Sequence, residues 1–258
     1  MKHISARAFL LGITFFLTLS SLWALSDQEL LARVDALVSY YDTDFSAEYI
    51  IVQDRPGQSR TTTVAGIFRR DSSDTYVIIV MDPVMNRGQG YLKQGDTLWF
   101  YDPQSGNFNS TSSTARFQNS NARNSDFTRS TLAQDYRVVA GANETLGRFN
   151  TRVLTLEAVT PEVTYPRMKI WICEDGFLRQ TEDYSLSGQL LRTTAIPEYQ
   201  NINGYYVPRG ILMVDELRGA VVGGVFVRER TQITINRPSF TGVPDSVFSK
   251  TYLETVSR

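Results

Sequence analysis

Between residues 45 and 236 the apolar side chains recur at every second position, and this alternation constrains the fold more than any other feature of the chain. Segments 45–53, 63–70, 75–81, 90–93 and 97–102 read as β-strands, punctuated by Arg55-Pro56-Gly57, Asp71-Ser72-Ser73, Asp82-Pro83 and Gln94-Gly95-Asp96. The pattern resumes over 136–140, 148–158, 167–173, 178–184, 190–198, 205–216 and 225–236. Helical spacing holds over 27–41, where Leu30, Leu31, Val34, Leu37, Val38 and Tyr41 share one face behind a Ser26 or Asp27 cap. A second helical turn is predicted within 130–135, and 244–256 reads as a weak helical or irregular end. Parallel strands need crossover helices, which are too few here, so the sheet must be antiparallel. The chain is therefore mainly β with few helices, its sheet curling to cover its own inner face as a half-open or closed barrel.

The segment Tyr76-Val77-Ile78-Ile79-Val80-Met81 is apolar on both faces, which a half-exposed sheet would not tolerate. One face must meet the core helix and the other something further. A sheet wrapped round an apolar interior and a well-packed sandwich core both fit, and the 14 Phe, 13 Tyr and 3 Trp suit either. Residues 103–131 are rich in Ser, Asn and Gly, with Phe108, Phe117 and Phe127 spaced along them. A loop of that length inside one domain is usually functional or mobile.

Lys2 and Arg7 precede an apolar run from Ala8 to Trp23, and Ala24-Leu25-Ser26 places small residues where a signal peptidase reads. Cleavage before Asp27 is predicted, leaving 27–258 as a single domain exported to the periplasm. The run is shorter than the ~20 residues a spanning anchor needs. The one histidine, His3, leaves with that segment, so the mature chain has no imidazole for a Ser-His-Asp triad, a Cys-His pair or a zinc site. One cysteine, Cys173, allows no intramolecular disulfide and reads as a packed thiol. A net charge of −1 gives no basic surplus for nucleic acid.

General acid–base chemistry would have to use carboxylates. The pairs Asp71/Asp74, Glu174/Asp175, Glu182/Asp183 and Asp215/Glu216 all fall where turns or strand ends are expected and read as solvated turns. Asp42-Thr43-Asp44 lacks the glycine and glutamate of a calcium loop. Gly219 to Gly224 (GAVVGG) precedes no helix, so it marks a hairpin or bulge rather than a dinucleotide fingerprint. No catalytic residue, metal or cofactor is predicted, and the chain is not read as an enzyme. Only 4 of the 26 basic residues are lysines (Lys2, Lys93, Lys169 and Lys250). Arginine's planar fork suits fixed bonds to loop carbonyls or carboxylates, although compositional bias would give the same count.

Gly95-Asp96-Thr97-Leu98-Trp99-Phe100-Tyr101-Asp102-Pro103 closely resembles the central strand motif of the periplasmic lipoprotein-carrier (LolA-like) family. The order of pieces resembles its outer-membrane lipoprotein-sorting branch: Asn86-Arg87-Gly88-Gln89-Gly90-Tyr91-Leu92-Lys93 before that strand, Asn124-Ser125-Asp126-Phe127-Thr128 after it, then Lys169-Ile170-Trp171-Ile172 and Ser187-Gly188-Gln189-Leu190-Leu191. The resemblance implies an incomplete barrel closed by an N-terminal helix and loop segments acting as a lid. It implies a hydrophobic cavity for acyl chains of lipoproteins or lipids, with an inner-membrane ABC transporter and an outer-membrane acceptor as partners. A lid-holding arginine near the end of an early strand is matched by Arg69 or Arg70. Ile51, Ile67, Val77, Ile79, Leu98, Phe100, Phe127 and Met168 are the nominated cavity lining, with strand parity open to a one-residue slip. The alternative on this scaffold is an envelope-stress sensor that binds lipid or lipoprotein and regulates a partner. A carboxylate-dependent hydrolase is the remaining class.

Overall fold

The computed structural model describes residues 25–257. Residues 1–24 of the expected signal segment lie outside the described residues, as does His3. Among those described, no helix is long and apolar enough to cross a membrane.

Thirteen antiparallel strands form one unclosed sheet in the order β6-β5-β4-β3-β2-β1-β13-β12-β11-β10-β9-β8-β7. Successive strands pair as hairpins, β1 (Phe45–Asp54) to β6 (Asn107–Ser110) in one wing, with β5 at Thr97–Asp102, and β7 (Tyr136–Leu146) to β13 (Val225–Ser239) in the other, with β10 at Leu178–Tyr184 and β12 at Tyr205–Val222. The wings join where the first strand pairs the last, Ile51 opposite Ile233. The two edges, β6 and β7, are consecutive in sequence but unpaired, and the chain between them (residues 111–135) crosses the inner face. This is the incomplete barrel of the sequence reading, mainly β with few helices. All twelve predicted strands are present. The thirteenth, β6, lies among Ser and Asn residues and is held where Phe108 packs against Tyr101, ring centroids 4.7 Å apart and planes tilted by 37°.

Helix α1 (Asp27–Val38) opens with a capping box: the Ser26 hydroxyl accepts from the Glu29 amide, and the Glu29 carboxylate accepts from the Ser26 amide at 2.8 Å. The apolar spacing predicts continuation to Tyr41. Tertiary contacts end the helix sooner, because the Tyr40 amide donates to the buried Asp71 carboxylate at 2.7 Å while its ring packs against Phe45 and Phe240. The predicted turn in 130–135 is a short helix, α2 (Leu132–Asp135).

Three apolar clusters fill the molecule. On the inner face of β1–β5, Ile51, Ile67, Ile78, Tyr91 and Leu98 pack beneath Phe117 and Phe127. On the inner face of β8 (Phe149–Ala158) and β9 (Arg167–Cys173), Leu154, Leu156 and Ile170 meet Leu30, Leu31 and Val34 of α1. The third cluster lies on the outer face of β3 (Thr75–Asp82) and β4 (Gly90–Gln94), where Val77 and Leu92 are covered by Val247, Phe248 and Leu253. These last three come from a C-terminal strap, a 3-10 turn (Asp245–Phe248) followed by α3 (Lys250–Val256). Gly90 is required beneath that strap, since a Cβ there would lie 2.6 Å from a Leu253 methyl. The two-faced apolarity of β3 is thus explained with a correction. Its inner face meets the crossing segment rather than the core helix, and its outer face meets the strap.

Candidate functional site

The crossing segment divides the concave side of the sheet. Over β1–β5 it leaves no room: Phe117 is fully buried and packs against Phe127 (4.7 Å) and Tyr91 (5.0 Å), and Ser120, Asn121 and Asn124 are buried beside them. The enclosed hydrophobic cavity predicted from the sequence is therefore not what the structure contains. Its counterpart is an open cleft of about 740 Å³, mostly over the other wing, between α1, residues 125–136 and the inner faces of β9–β13, and bordered by Tyr49 of β1, by Lys93 of β4 and by Arg69. Tyr49, Met168, Ile196, Ile211, Met213 and Ile235 give it an apolar floor, and Val34, Leu37 and Val38 of α1 form one wall. Thr181 and Thr194 also face it, and the Thr194 hydroxyl is buried without a hydrogen-bond partner. Burial pushes the Tyr49 hydroxyl up to about 12, so it faces the cleft as a neutral phenol.

Two arginines bond the crossing segment beside the cleft, one from each wing. Arg69, near the end of β2 (Thr61–Arg70), donates to the Val38 carbonyl at the end of α1 (2.9 Å) and to the Thr128 carbonyl of the crossing segment (3.3 Å). It also donates to Asp71, and its guanidinium lies 4.9 Å from the Tyr40 ring centroid. Arg192, on β11 (Leu190–Ile202), donates to Asp183 at 2.7 Å and to both oxygens of Asp126 at 2.6 and 3.0 Å. Burial pushes the Asp183 carboxyl up, opposed by Arg192. The Arg192 charge is itself held firmly, because its two carboxylates outweigh the cost of burial.

Alternation along β2 sends Arg70 to the outer face. There it donates to Asp44 (2.8 Å), to the Val243 carbonyl just before the strap (2.6 Å) and to Asp245 of the strap (2.5 Å), away from the Arg69 bonds on the inner face. Of the nominated lining residues, Met168 lies in the cleft. Ile51, Ile67, Leu98 and Phe127 belong to the filled inner cluster, with Phe100 packed against it. Val77 and Ile79 lie with the strap on the outer face. The carboxylates read as solvated turns divide likewise: Asp71, Asp183 and Asp215 are buried beside Arg69, Arg192 and Arg116, and Glu174 and Asp175 remain on an exposed turn. Arginine-to-carboxylate and arginine-to-carbonyl bonds are the use made of these side chains. Sequence reasoning missed Arg192, Thr194 and Met213. The available signal was a basic residue at a core parity of β11, which the register Arg192 opposite Asp183 and Asp215 now explains. Among the described residues no cluster of three His, Cys, Asp or Glu side chains could hold a metal.

A family model described as an uncharacterized protein matches residues 72–255, more than half of the chain. The chain belongs to that family, and its fold is LolA-like. A LolA superfamily protein from Nitrosomonas europaea is 23% identical with a TM-score of 0.74, the match covering 88% of this chain and 99% of that one. A putative outer-membrane lipoprotein-sorting protein domain from Vibrio parahaemolyticus is 18% identical at TM-score 0.76, over 88% and 97% of the two chains. A DUF1329 family protein from Desulfovibrio piger is 18% identical at TM-score 0.77, with the same coverage. At these identities the likeness is one of fold. No curated protein matches the chain. In this LolA-like chain residues 111–135 are a mostly irregular crossing segment, and its Phe117 and Phe127 are part of the core.

Proposed function

We propose that this protein is a periplasmic carrier that takes acyl chains of lipoproteins or lipids into the cleft beneath its cover and moves them toward the outer membrane. The observation that carries the reading is the cleft itself. About 740 Å³ of space with an apolar floor, within the roughly 300–1,000 Å³ typical of ligand sites, lies under a cover tied by Arg69 to two backbone carbonyls. The likeness to the Nitrosomonas LolA superfamily protein and the Vibrio lipoprotein-sorting domain supports it at the level of fold. So does the signal-like sequence before Asp27. Burial contributes about 0.8 kcal/mol per methylene, so a sixteen-carbon chain gains on the order of 12 kcal/mol by leaving water. An aqueous carrier must enclose such a chain yet release it, which calls for a cover less stable than the body. Arg69 is the residue assigned to hold that cover, and an inner-membrane ABC transporter and an outer-membrane acceptor are the proposed donor and recipient.

Binding of a fluorescent fatty-acyl probe, with native mass spectrometry of the purified protein, tests this reading. Uptake of the probe is expected, and its loss in Ile211→Trp, which fills the cleft floor. An empty chain that ignores the probe, or uptake indifferent to Ile211→Trp, rejects it.

A further inference from the structure

Beside the cleft lies a second pocket, of about 370 Å³, whose wall carries Arg116, Arg123, Arg192 and Arg218 against a single carboxylate, Asp215. Asp215 is already committed. It pairs with Arg116 and accepts from the amides of Leu217 (3.0 Å) and Arg218 (2.8 Å). Arg192 is committed to Asp126 and Asp183. Among the described residues, the guanidiniums of Arg123 and Arg218 have no carboxylate partner; that of Arg123 donates to the Thr114 carbonyl (2.9 Å) and to the Tyr165 hydroxyl. Asn121 completes the wall: it is almost wholly buried, its oxygen accepts from Arg116, and its Nδ2 has no partner. Donors therefore outnumber acceptors on this wall: Asn121 Nδ2 has no partner, and the guanidiniums of Arg123 and Arg218 have no carboxylate. An oxyanion would supply acceptors to all three.

The surroundings say where that oxyanion comes from. β12 pairs β11 only as far as Asp215, and β13 pairs β1 only as far as Arg230. Beyond those residues the two strands continue as an unflanked ribbon, Gly219 opposite Arg228 to Val222 opposite Val225, turning at Gly223-Gly224 with φ of +58° and +82°. Residues 219–227 carry no ionisable side chain. Val221, Val225 and Phe226 are 69%, 64% and 48% exposed, and Val222 is also exposed. Water is a poor partner for so concentrated an apolar tip, whereas a bilayer accepts it. Arg218 lines the pocket and stands at the root of this ribbon beside Leu217. On the pocket's other side, Tyr165 and Arg192 line both the pocket and the acyl cleft.

We propose that this pocket holds the phosphate of an anionic lipid headgroup, presented by a bilayer that the apolar β12–β13 tip enters. The inference extends the cleft reading, because the headgroup would sit one side chain away from the space assigned to the acyl chain.

Co-sedimentation with vesicles of phosphatidylcholine alone and of phosphatidylcholine mixed with phosphatidylglycerol, at physiological salt, tests it. With two unpaired arginines engaged, about thirtyfold tighter binding to the mixed vesicles is expected. The double variant Arg123→Gln/Arg218→Gln should lose that preference, and Val221→Ser/Phe226→Ser should release the protein from both vesicle types. Equal binding to the two vesicles, or a preference that survives the arginine replacements, overturns the headgroup site. Binding unaffected by the tip replacements overturns the bilayer as its source, as does full displacement by inorganic phosphate at the same concentration as lipid phosphate. Uptake of the acyl probe in vesicle-free solution reports the cleft separately. Normal uptake with no headgroup preference counts against this inference alone, and a headgroup preference without uptake supports it while rejecting the cleft.

Discussion

The two wings of the sheet use their inner faces in opposite ways. Over β1–β5 the crossing segment plugs the concave side with Phe117 and Phe127, and the strap covers the outside, so β3 is dry on both faces. Over β9–β13 the same segment reaches the sheet through polar bonds, such as Asp126 with Arg192 and the Asn121 amide with Thr231, and threonines and a buried arginine share the cleft lining with methionine and isoleucine. One wing is a finished core. The other has packing left undone, and its polar groups are anchored by charge rather than by contact. In this molecule, open space is left where the chain that crosses the interior stops filling it.

Four measurements separate the two wings. The largest effect is expected for Phe117→Ala, a truncation in the filled wing, which should cost about 4 kcal/mol in urea unfolding while leaving acyl-probe affinity unchanged. A parallel loss of probe binding would show that the wings do not act separately. Arg192→Gln strands the buried Asp183 and should cost about 3 kcal/mol, with faster hydrogen exchange over 121–128 and none of that change in the strap. Uniform acceleration across the chain would deny Arg192 its place as the cover's anchor.

Arg69→Gln removes the bonds to Val38 and Thr128, for roughly 2 kcal/mol, and should speed release of the acyl probe more than its capture. Arg70→Gln is the control, since it should loosen the strap and leave release alone; identical release rates in both variants would remove Arg69 from the cover. The smallest effect concerns acid. The hydrogen bond from Arg70 holds the Asp44 carboxyl below the usual carboxylate range, against the cost of burial, with help from the Val243 amide. Its contribution is complete above about pH 4, the ordinary carboxylate range, and is lost as pH falls through the lowered folded value. Asp44→Asn should therefore be less stable at neutral pH but lose less on acidification; an equal loss in both proteins would place the acid sensitivity elsewhere.

Much of the architecture was legible because alternation is a local property. The period of two marked twelve strands, and the scarcity of helices forced them antiparallel. Ser26 and Glu29 announced the start of α1, and the LolA-like resemblance rested on residues such as Gly95 to Pro103. The site was less legible. Alternation says that neighbours such as Val77 and Ile78 face opposite ways, but not which face is inner, and Val77 and Ile79 lie outside beneath the strap. Phe127 lies inside, yet as core. The choice between Arg69 and Arg70 is the same question of parity, since one residue separates a bond to the cover from a bond to the strap.

The sequence by itself determined a mainly β chain, antiparallel pairing between neighbours, the capped first helix and an arginine set suited to oriented bonds, because each depends on spacing within a few residues. Tertiary structure alone decided that the first and last strands meet, that α1 stops before Tyr40, and that the open space lies over β9–β13. Those outcomes depend on contacts between residues far apart in the chain, such as Arg69 with Thr128 and Arg192 with Asp126, whose partners no local pattern specifies.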